Sequence, residues 1–135
     1  RKGHKTMSTA VDITINDGAA SPVAHTLYPV QNSDGKGFTF FDQVAGNPVF
    51  EIKVWGKLKM GSTKVASESS VGVIQPVTHV VDGIVQQNHV NTSRVEFVYA
   101  PNATAAERAD LYALTINALQ HALIQEQARD LKAWY

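Results

Sequence analysis

The last third of the chain most constrains its fold, because a strand with one apolar face runs directly into helices. Residues 88–100 predict this final strand, and Thr104 with Glu107 has the spacing of a capping box at a helix start. The helical pattern that follows predicts two helices, at about 104–121 and 123–132. No glycine or proline separates the two segments, so one kinked helix is an alternative.

The first helix carries an apolar side that needs a surface to cover it. Its members recur at helical spacing, and they are Leu111, Leu114, Ala118 and Leu119. All predicted strands precede these helices, so a sheet is the available partner. We expect the sheet of a second copy of the chain to cover this side, which makes these residues the predicted dimer interface.

Upstream, alternating apolar and polar residues predict several strands separated by turn signals. Asp17-Gly18 predicts a hairpin turn between the first two strands. The segment 76–87 has no hydrophobic period and is predicted to be a long loop. Strands followed by helices, without strand–helix alternation, are typical of the α+β class with an antiparallel sheet. The remaining predicted strands are 10–16, 23–30, 38–44, 49–60 and 64–74.

Composition sets broad limits on this 135-residue chain. Residues 10–135 are predicted to form one domain. Residues 1–9 are predicted to form a mobile arm, with Met7 a candidate native start and the first six residues added upstream. Twelve basic and twelve acidic residues cancel, so any electrostatic function must lie in local charge placement. The absence of cysteine excludes disulfides and thiolate chemistry, and no apolar run suggests a membrane partner.

The segment with the most suggestive chemistry is a strand with a row of lysines. Alternation places Lys53, Trp55, Lys57 and Lys59 on one face. Ammonium groups about 7 Å apart approximate the spacing of backbone phosphates, and the indole offers a stacking surface for an unpaired base. The pattern alone leaves a simpler interpretation open, a solvated face or a protected sheet edge.

The final strand repeats this logic. Thr92, Arg94 and Glu96 share the face opposite its apolar residues, where they could contact a phosphate and a base edge. The sequence shows no nucleophile motif and no metal-ligand spacing, so we expect no catalytic residues, metal or cofactor. The five histidines are scattered and are predicted to be surface or satisfied residues; they are His4, His25, His79, His89 and His121.

Several segments together resemble the coat proteins of the single-stranded RNA bacteriophages, the leviviruses, and most closely the Q-beta type. The resemblance rests on Val95–Tyr99, on the helix start Thr104–Arg108, on the helix pair and on the terminal Trp134-Tyr135. It extends over nearly the whole chain and is clearest in 92–135. It implies an N-terminal β-hairpin, a five-stranded antiparallel meander and two helices. It further implies an intertwined dimer with a ten-stranded sheet, assembled into an icosahedral shell.

The resemblance also implies that the inner sheet face binds a hairpin of the RNA genome, which packages the genome and represses translation. A maturation protein is a further implied partner, and assembly in the bacterial cytoplasm into a virion is the implied location. Relatives often carry a tyrosine at the position of Thr92 and small polar residues at the position of Trp55. This difference implies that the aromatic residue that stacks on a base lies on a different strand in this chain. The implied RNA-binding residues are Lys53, Trp55, Lys57, Lys59, Glu68, Ser70, Thr92, Arg94 and Glu96.

Two other functions are compatible with parts of this pattern. A small dimeric RNA-binding regulator would use the same basic face and form no shell. An enzyme or ligand-binding α+β domain would instead need a concave pocket with convergent titratable groups, and the sequence shows no such cluster.

Overall fold

The computed structural model describes residues 11–30, 37–42 and 51–133. These residues form one six-stranded sheet in the order β1-β2-β3-β4-β5-β6, followed by two helices. Each strand lies beside its neighbour in the chain, and the antiparallel arrangement confirms the α+β class. The elements are β1 Ile13–Asn16, β2 Ala24–Val30, β3 Gly37–Asp42, β4 Lys53–Lys59, β5 Ser67–Val81, β6 Ile84–Tyr99, α1 Ala105–Gln120 and α2 Ala122–Ala128.

The chain divides into two compact units. The first, called here the sheet unit, comprises Arg1–Lys59 and Ser69–Glu96, and the second, the helical unit, comprises Met60–Glu68 and Phe97–Tyr135. The single domain expected over 10–135 stays a prediction. The predicted arm at 1–9 lies outside the described residues, as do parts of the predicted strands at 38–44 and 49–60.

The core of the sheet unit lies on one face of its strands. Leu27, Phe40 and Val54 are buried there, and Leu27 is completely inaccessible to solvent. Strand register explains this grouping, because Phe40 pairs with Val54 and Ile13 pairs with Leu27. Ile13 is one of three partly buried residues that extend the cluster, with Ile52 and Val73.

The hairpin of β1 and β2 is closed by Asp17. Its backbone amide donates to the carbonyl of Val23 at 3.0 Å. One carboxylate oxygen, Oδ1, accepts from the amides of Ala19 at 3.1 Å and Val23 at 2.9 Å. The predicted turn is therefore confirmed, although it is wider than two residues, since the last register pair is Asn16 with Ala24.

The predicted loop at 76–87 is wrong, because these residues extend β5 and β6 into a long hairpin. Asp82 and Gly83 form the turn with positive φ values of 51° and 79°, the backbone shape of a type I′ hairpin. All residues from 78 to 94 are exposed. Because neither side of this ribbon is buried in the chain, its sequence carries no alternating pattern.

The prediction of two helices is confirmed, although α2 ends at Ala128 and not near the predicted residue 132. The Glu107 amide donates to Thr104 Oγ1 at 3.2 Å, and Glu107 Oε2 accepts from the Thr104 amide at 3.4 Å, which completes the capping box. Two helices form rather than one, because His121 adopts an extended backbone that ends α1. Its Nδ1 then accepts the Leu123 amide at 3.3 Å and caps α2.

Helix α1 buries no residue within this chain. Its Tyr112 contacts Phe97 of β6, with 5.8 Å between ring centroids. The predicted interface residues lie elsewhere on the helix, where Leu111, Leu114 and Leu119 are 39%, 66% and 47% exposed. A large part of the apolar surface of α1 therefore has no cover from the described part of its own chain.

Candidate nucleic-acid interface

The basic side chains of β4 point away from its buried residue Val54. Alternation along the strand places Lys53, Trp55, Lys57 and Lys59 together on the other side. Lys57 and Lys59 are exposed, while Lys53 and Trp55 are half-buried. The grouping expected from the sequence is therefore present in the structure.

Aromatic rings hold two of these ammonium groups over the sheet. Lys53 pairs with Phe41 across β3 and β4, and its Nζ lies 5.5 Å from the centre of the Phe41 ring. Lys57 Nζ lies 5.8 Å from the centre of the Trp55 ring, and Thr39 is the cross-strand partner of Trp55. Such a contact stabilises an exposed cation such as Lys57 by only about 0.5–1 kcal/mol. An anion can therefore draw Lys57 away from the ring at low cost.

Strand β5 adds small side chains to this side. Gly72 lies directly under the indole of Trp55, and alternation places Ser70 on the same side of β5. Ser70 is buried, and its role in RNA binding stays a prediction. Glu68 shares this side of the strand but belongs to the helical unit, and its role in RNA binding stays a prediction.

On β6, the predicted cation and acceptor contact each other. Arg94 Nη2 donates to Glu96 Oε2 at 3.3 Å, and both side chains are well exposed. An exposed ion pair of this kind contributes at most about 1 kcal/mol. Arg94 can therefore exchange Glu96 for a phosphate, which frees the carboxylate to accept a hydrogen bond. Thr92, on the same side by alternation, is exposed as well.

This arrangement suits a single-stranded nucleic acid. Basic side chains on two strands are of the type that contacts phosphates, and such contacts supply affinity without reading sequence. The tryptophan among them provides a flat apolar surface of the kind that accepts an unpaired base. The zero net charge of the whole chain thus conceals a local concentration of positive charge.

A second polar cluster, in which one histidine bridges two aspartates, has no signature in the sequence. His25 Nδ1 lies 2.6 Å from Asp42 Oδ2, and Nε2 lies 3.1 Å from Asp17 Oδ2. Hydrogen bonds to Asp17 and then Asp42 raise the pKa of His25 above its ordinary value. Hydrogen bonds from Val23 and then from His25 lower the pKa of Asp17. The three residues are 8 and 17 positions apart in sequence, so only the β1–β2–β3 register brings them together.

A cavity of about 400 Å³ adjoins this histidine in the sheet unit. Its lining combines apolar residues such as Ile15 and Val73 with the amides of Gln75 and Asn91. Both ring nitrogens of His25 are already engaged by carboxylates, so the imidazole is not available as a general base. The cavity therefore lacks the convergent reactive groups that the enzyme alternative requires.

Metal-ion sites and membrane-spanning helices are both absent from the described ranges. Residues 11–30, 37–42 and 51–133 contain no group of three or more histidine, cysteine or acidic side chains able to hold a metal ion. Over the same part of the chain, neither helix has the length and apolarity to cross a membrane.

Solved structures with the same fold come from virus-like particles and from a bacteriophage capsid. A chain from the virus-like particle of bacteriophage ESE058 superimposes with a TM-score of 0.83 at 24% identity, covering 95% of this chain and 100% of that one. The virus-like particle of Beihai levi-like virus 21 gives 0.82 at 22%, covering 95% and 99%. The bacteriophage GA protein capsid gives 0.69 at 12%, covering 92% and 96%.

Comparison with curated proteins found no significant match. The comparison with family models was decisive, since the model described as "Levivirus coat protein" matches residues 8–135. This match includes both compact units, the basic strand and the helix pair. The family is one of structural capsid proteins that reside in the virion, and it is not an enzyme family. The chain belongs to the levivirus coat protein family.

Proposed function

We propose that this coat protein assembles as dimers into a closed icosahedral shell and binds a hairpin of the RNA genome on the inner face of its sheet. The observation that carries the RNA-binding half is the two-sidedness of β4. One side of this strand buries Val54 in the core, and the other presents Lys53, Trp55, Lys57 and Lys59. A single strand thus separates a packing surface from a cationic surface.

The exposed apolar side of α1 supports the dimer. Leu111, Leu114 and Leu119 lose contact with water only if another surface covers them, and burial of apolar area is the main driving force of association. A crossed arrangement, in which each copy's helices cover the partner's sheet, also removes an open sheet edge. Interfaces of this obligate type bury about 2,000 Å² or more.

Shell assembly is supported by the source of the similar structures, because the ESE058 and Beihai chains come from virus-like particles. Negative-stain electron microscopy of the purified protein tests this part of the proposal. Closed particles of uniform size are the expected result. A stable lone dimer at all protein concentrations would instead favour the dimeric RNA-binding regulator.

The RNA-binding part is tested by removing two exposed lysines, Lys57→Ala with Lys59→Ala. Each lost phosphate contact should reduce the slope of log affinity against log salt by about one unit, so affinity falls most at low salt. The matched control is Lys64→Ala with Lys132→Ala, which removes the same charge from exposed positions outside β4. Equal effects of the two double variants would show that the β4 row is only a solvated face.

Translational repression and recruitment of a maturation protein complete the proposed role. Repression requires that the dimer prefer one RNA hairpin to others, which a reporter fused downstream of candidate hairpins measures directly. If the Lys57→Ala, Lys59→Ala variant still represses the reporter, repression does not depend on the lysines of β4.

A further inference from the structure

The one glycine buried under the Trp55 ring has no role in the function described so far. Gly72 lies inside β5, where a glycine weakens a strand because it has no side chain to pack. A Cβ at this position would come closer than 3.0 Å to three indole atoms, Cε2, Cζ2 and Nε1 of Trp55, a separation that real Cβ atoms essentially never show. Any other residue at 72 would therefore displace the ring.

Trp55 has two further neighbours. Across β3, Trp55 is in register with Thr39, and from its own strand Lys57 Nζ approaches to 5.8 Å from the ring centre. The ring is half-buried, so part of its surface remains accessible. Gly72 thus lets a large aromatic ring lie close to the sheet, and the Lys57 ammonium lies over the same ring.

We propose that Gly72 is the positioning residue of a base-stacking site, in which an unpaired base of single-stranded RNA replaces the Lys57 ammonium over Trp55. This inference rests on the proposed RNA-binding function and names the contact that the sheet makes. The displaced ammonium moves to the phosphate of the same nucleotide, because the lysine side chain is exposed and flexible. Trp55 holds the base, Lys57 neutralises its phosphate, and Gly72 sets the height of the ring.

The site accepts bases by stacking rather than by reading their edges, because every base has a π face. Sequence preference at this nucleotide should accordingly be weak. A homopolymer is therefore a suitable probe, and an oligonucleotide of the same length with abasic sugars provides the matched phosphate-only ligand.

The experiment uses full-length protein carrying Trp134→Phe, so that Trp55 is the only tryptophan. Oligoadenylate should quench the Trp55 fluorescence on binding, and the abasic oligonucleotide should bind more weakly, by about tenfold, without quenching. Gly72→Ala should remove most of the quenching and weaken oligoadenylate binding by a similar factor, with little change for the abasic ligand. Val71→Ala, on the opposite side of β5, should leave both measurements unchanged.

A double-mutant cycle separates positioning from general damage to the strand. In a Trp55→Ala background, Gly72→Ala should no longer change the affinity for oligoadenylate, because there is no ring left to displace. An equal loss in both backgrounds would overturn the role of Gly72. If Gly72→Ala does not fold, quenching in the parent and the affinity of Trp55→Ala for the two ligands still decide whether the base stacks on Trp55.

The outcomes also distinguish this inference from the function on which it rests. Salt-dependent binding without quenching, or equal binding of the abasic and adenine oligonucleotides, overturns the stacking site and leaves RNA binding intact. Absence of any binding to both ligands overturns the stacking site, and the hairpin reporter then tests the proposed RNA-binding function separately.

Discussion

The two compact units of this protein solve the problem of burial in different ways. The sheet unit encloses Leu27, Phe40 and Val54 within one chain. Helix α1 of the helical unit buries none of its residues and leaves Leu114 two-thirds exposed. Covering this side of α1 with another surface would add stability that the chain alone does not supply. The contrast therefore separates the part of the fold that has its own core from the part that the proposed dimer would cover.

The sharpest test of this contrast is Leu114→Asp. A carboxylate in the proposed helix–sheet seam would have to be buried without a partner, so we expect complete loss of dimers and particles. Light scattering coupled to size exclusion measures the result. Ala113→Asp is the control, because Ala113 is exposed and shares its side of α1 with Asn117 and Gln120. Particles formed by Leu114→Asp would contradict the crossed-helix dimer.

A core substitution tests the other side of the comparison. Leu27→Ala leaves a cavity at a completely buried position, and we expect it to lower the free energy of unfolding by about 2–5 kcal/mol. Chemical denaturation followed by circular dichroism measures the change. Val30→Ala, at an exposed position of the same strand, should change it by less than about 0.5 kcal/mol. Similar losses in the two variants would mean that the sheet unit has no closed core.

The aspartate–histidine–aspartate cluster predicts how the stability of the sheet unit depends on pH. The raised pKa of His25 means that its contribution is complete below the ordinary value of 6.5 and is lost as pH rises through the raised value. The lowered pKa of Asp17 means that its contribution is present above 3.8 and is lost as pH falls through the lowered value. Both contributions are therefore present together between about pH 4 and 6.5.

Replacement of the histidine tests this dependence. His25→Gln should remove the alkaline loss of stability and lower the melting temperature most near pH 5–6, because Asp42 is buried and its Oδ1 already has no hydrogen-bond partner among the described residues. His79→Gln is the control, since His79 is an exposed residue of β5. If the melting temperatures of wild type and His25→Gln depend on pH in the same way, protonation of the cluster is not coupled to folding.

The smallest expected effect belongs to the capping box. Thr104→Ala removes the oxygen that accepts the Glu107 amide, and we expect a loss of about 1 kcal/mol. Thr104→Ser keeps the oxygen and should restore most of the stability in thermal denaturation. An unchanged melting temperature for the alanine variant would indicate that the partner surface, rather than the cap, fixes the start of α1.

Local patterns predicted those parts of the fold whose physics is local. The capping box depends on two residues three positions apart, and the two sides of β4 follow from strand alternation around Val54. The hairpin at 76–87 was missed for a related reason. Asp82 and Gly83 are typical turn residues, but the strands beside them are exposed on both sides. Such strands have no alternation of apolar and polar residues from which they could be predicted.

The sequence by itself determined the order of the elements, the start of α1 at Thr104 and the lysine row of β4, because each depends on residues that are close together in the chain. Only the tertiary structure decided that His25 lies between two aspartates and that Gly72 lies under Trp55. These contacts join residues on different strands. Their existence depends on strand register, which is fixed by the packing of Leu27, Phe40 and Val54 and not by any local pattern.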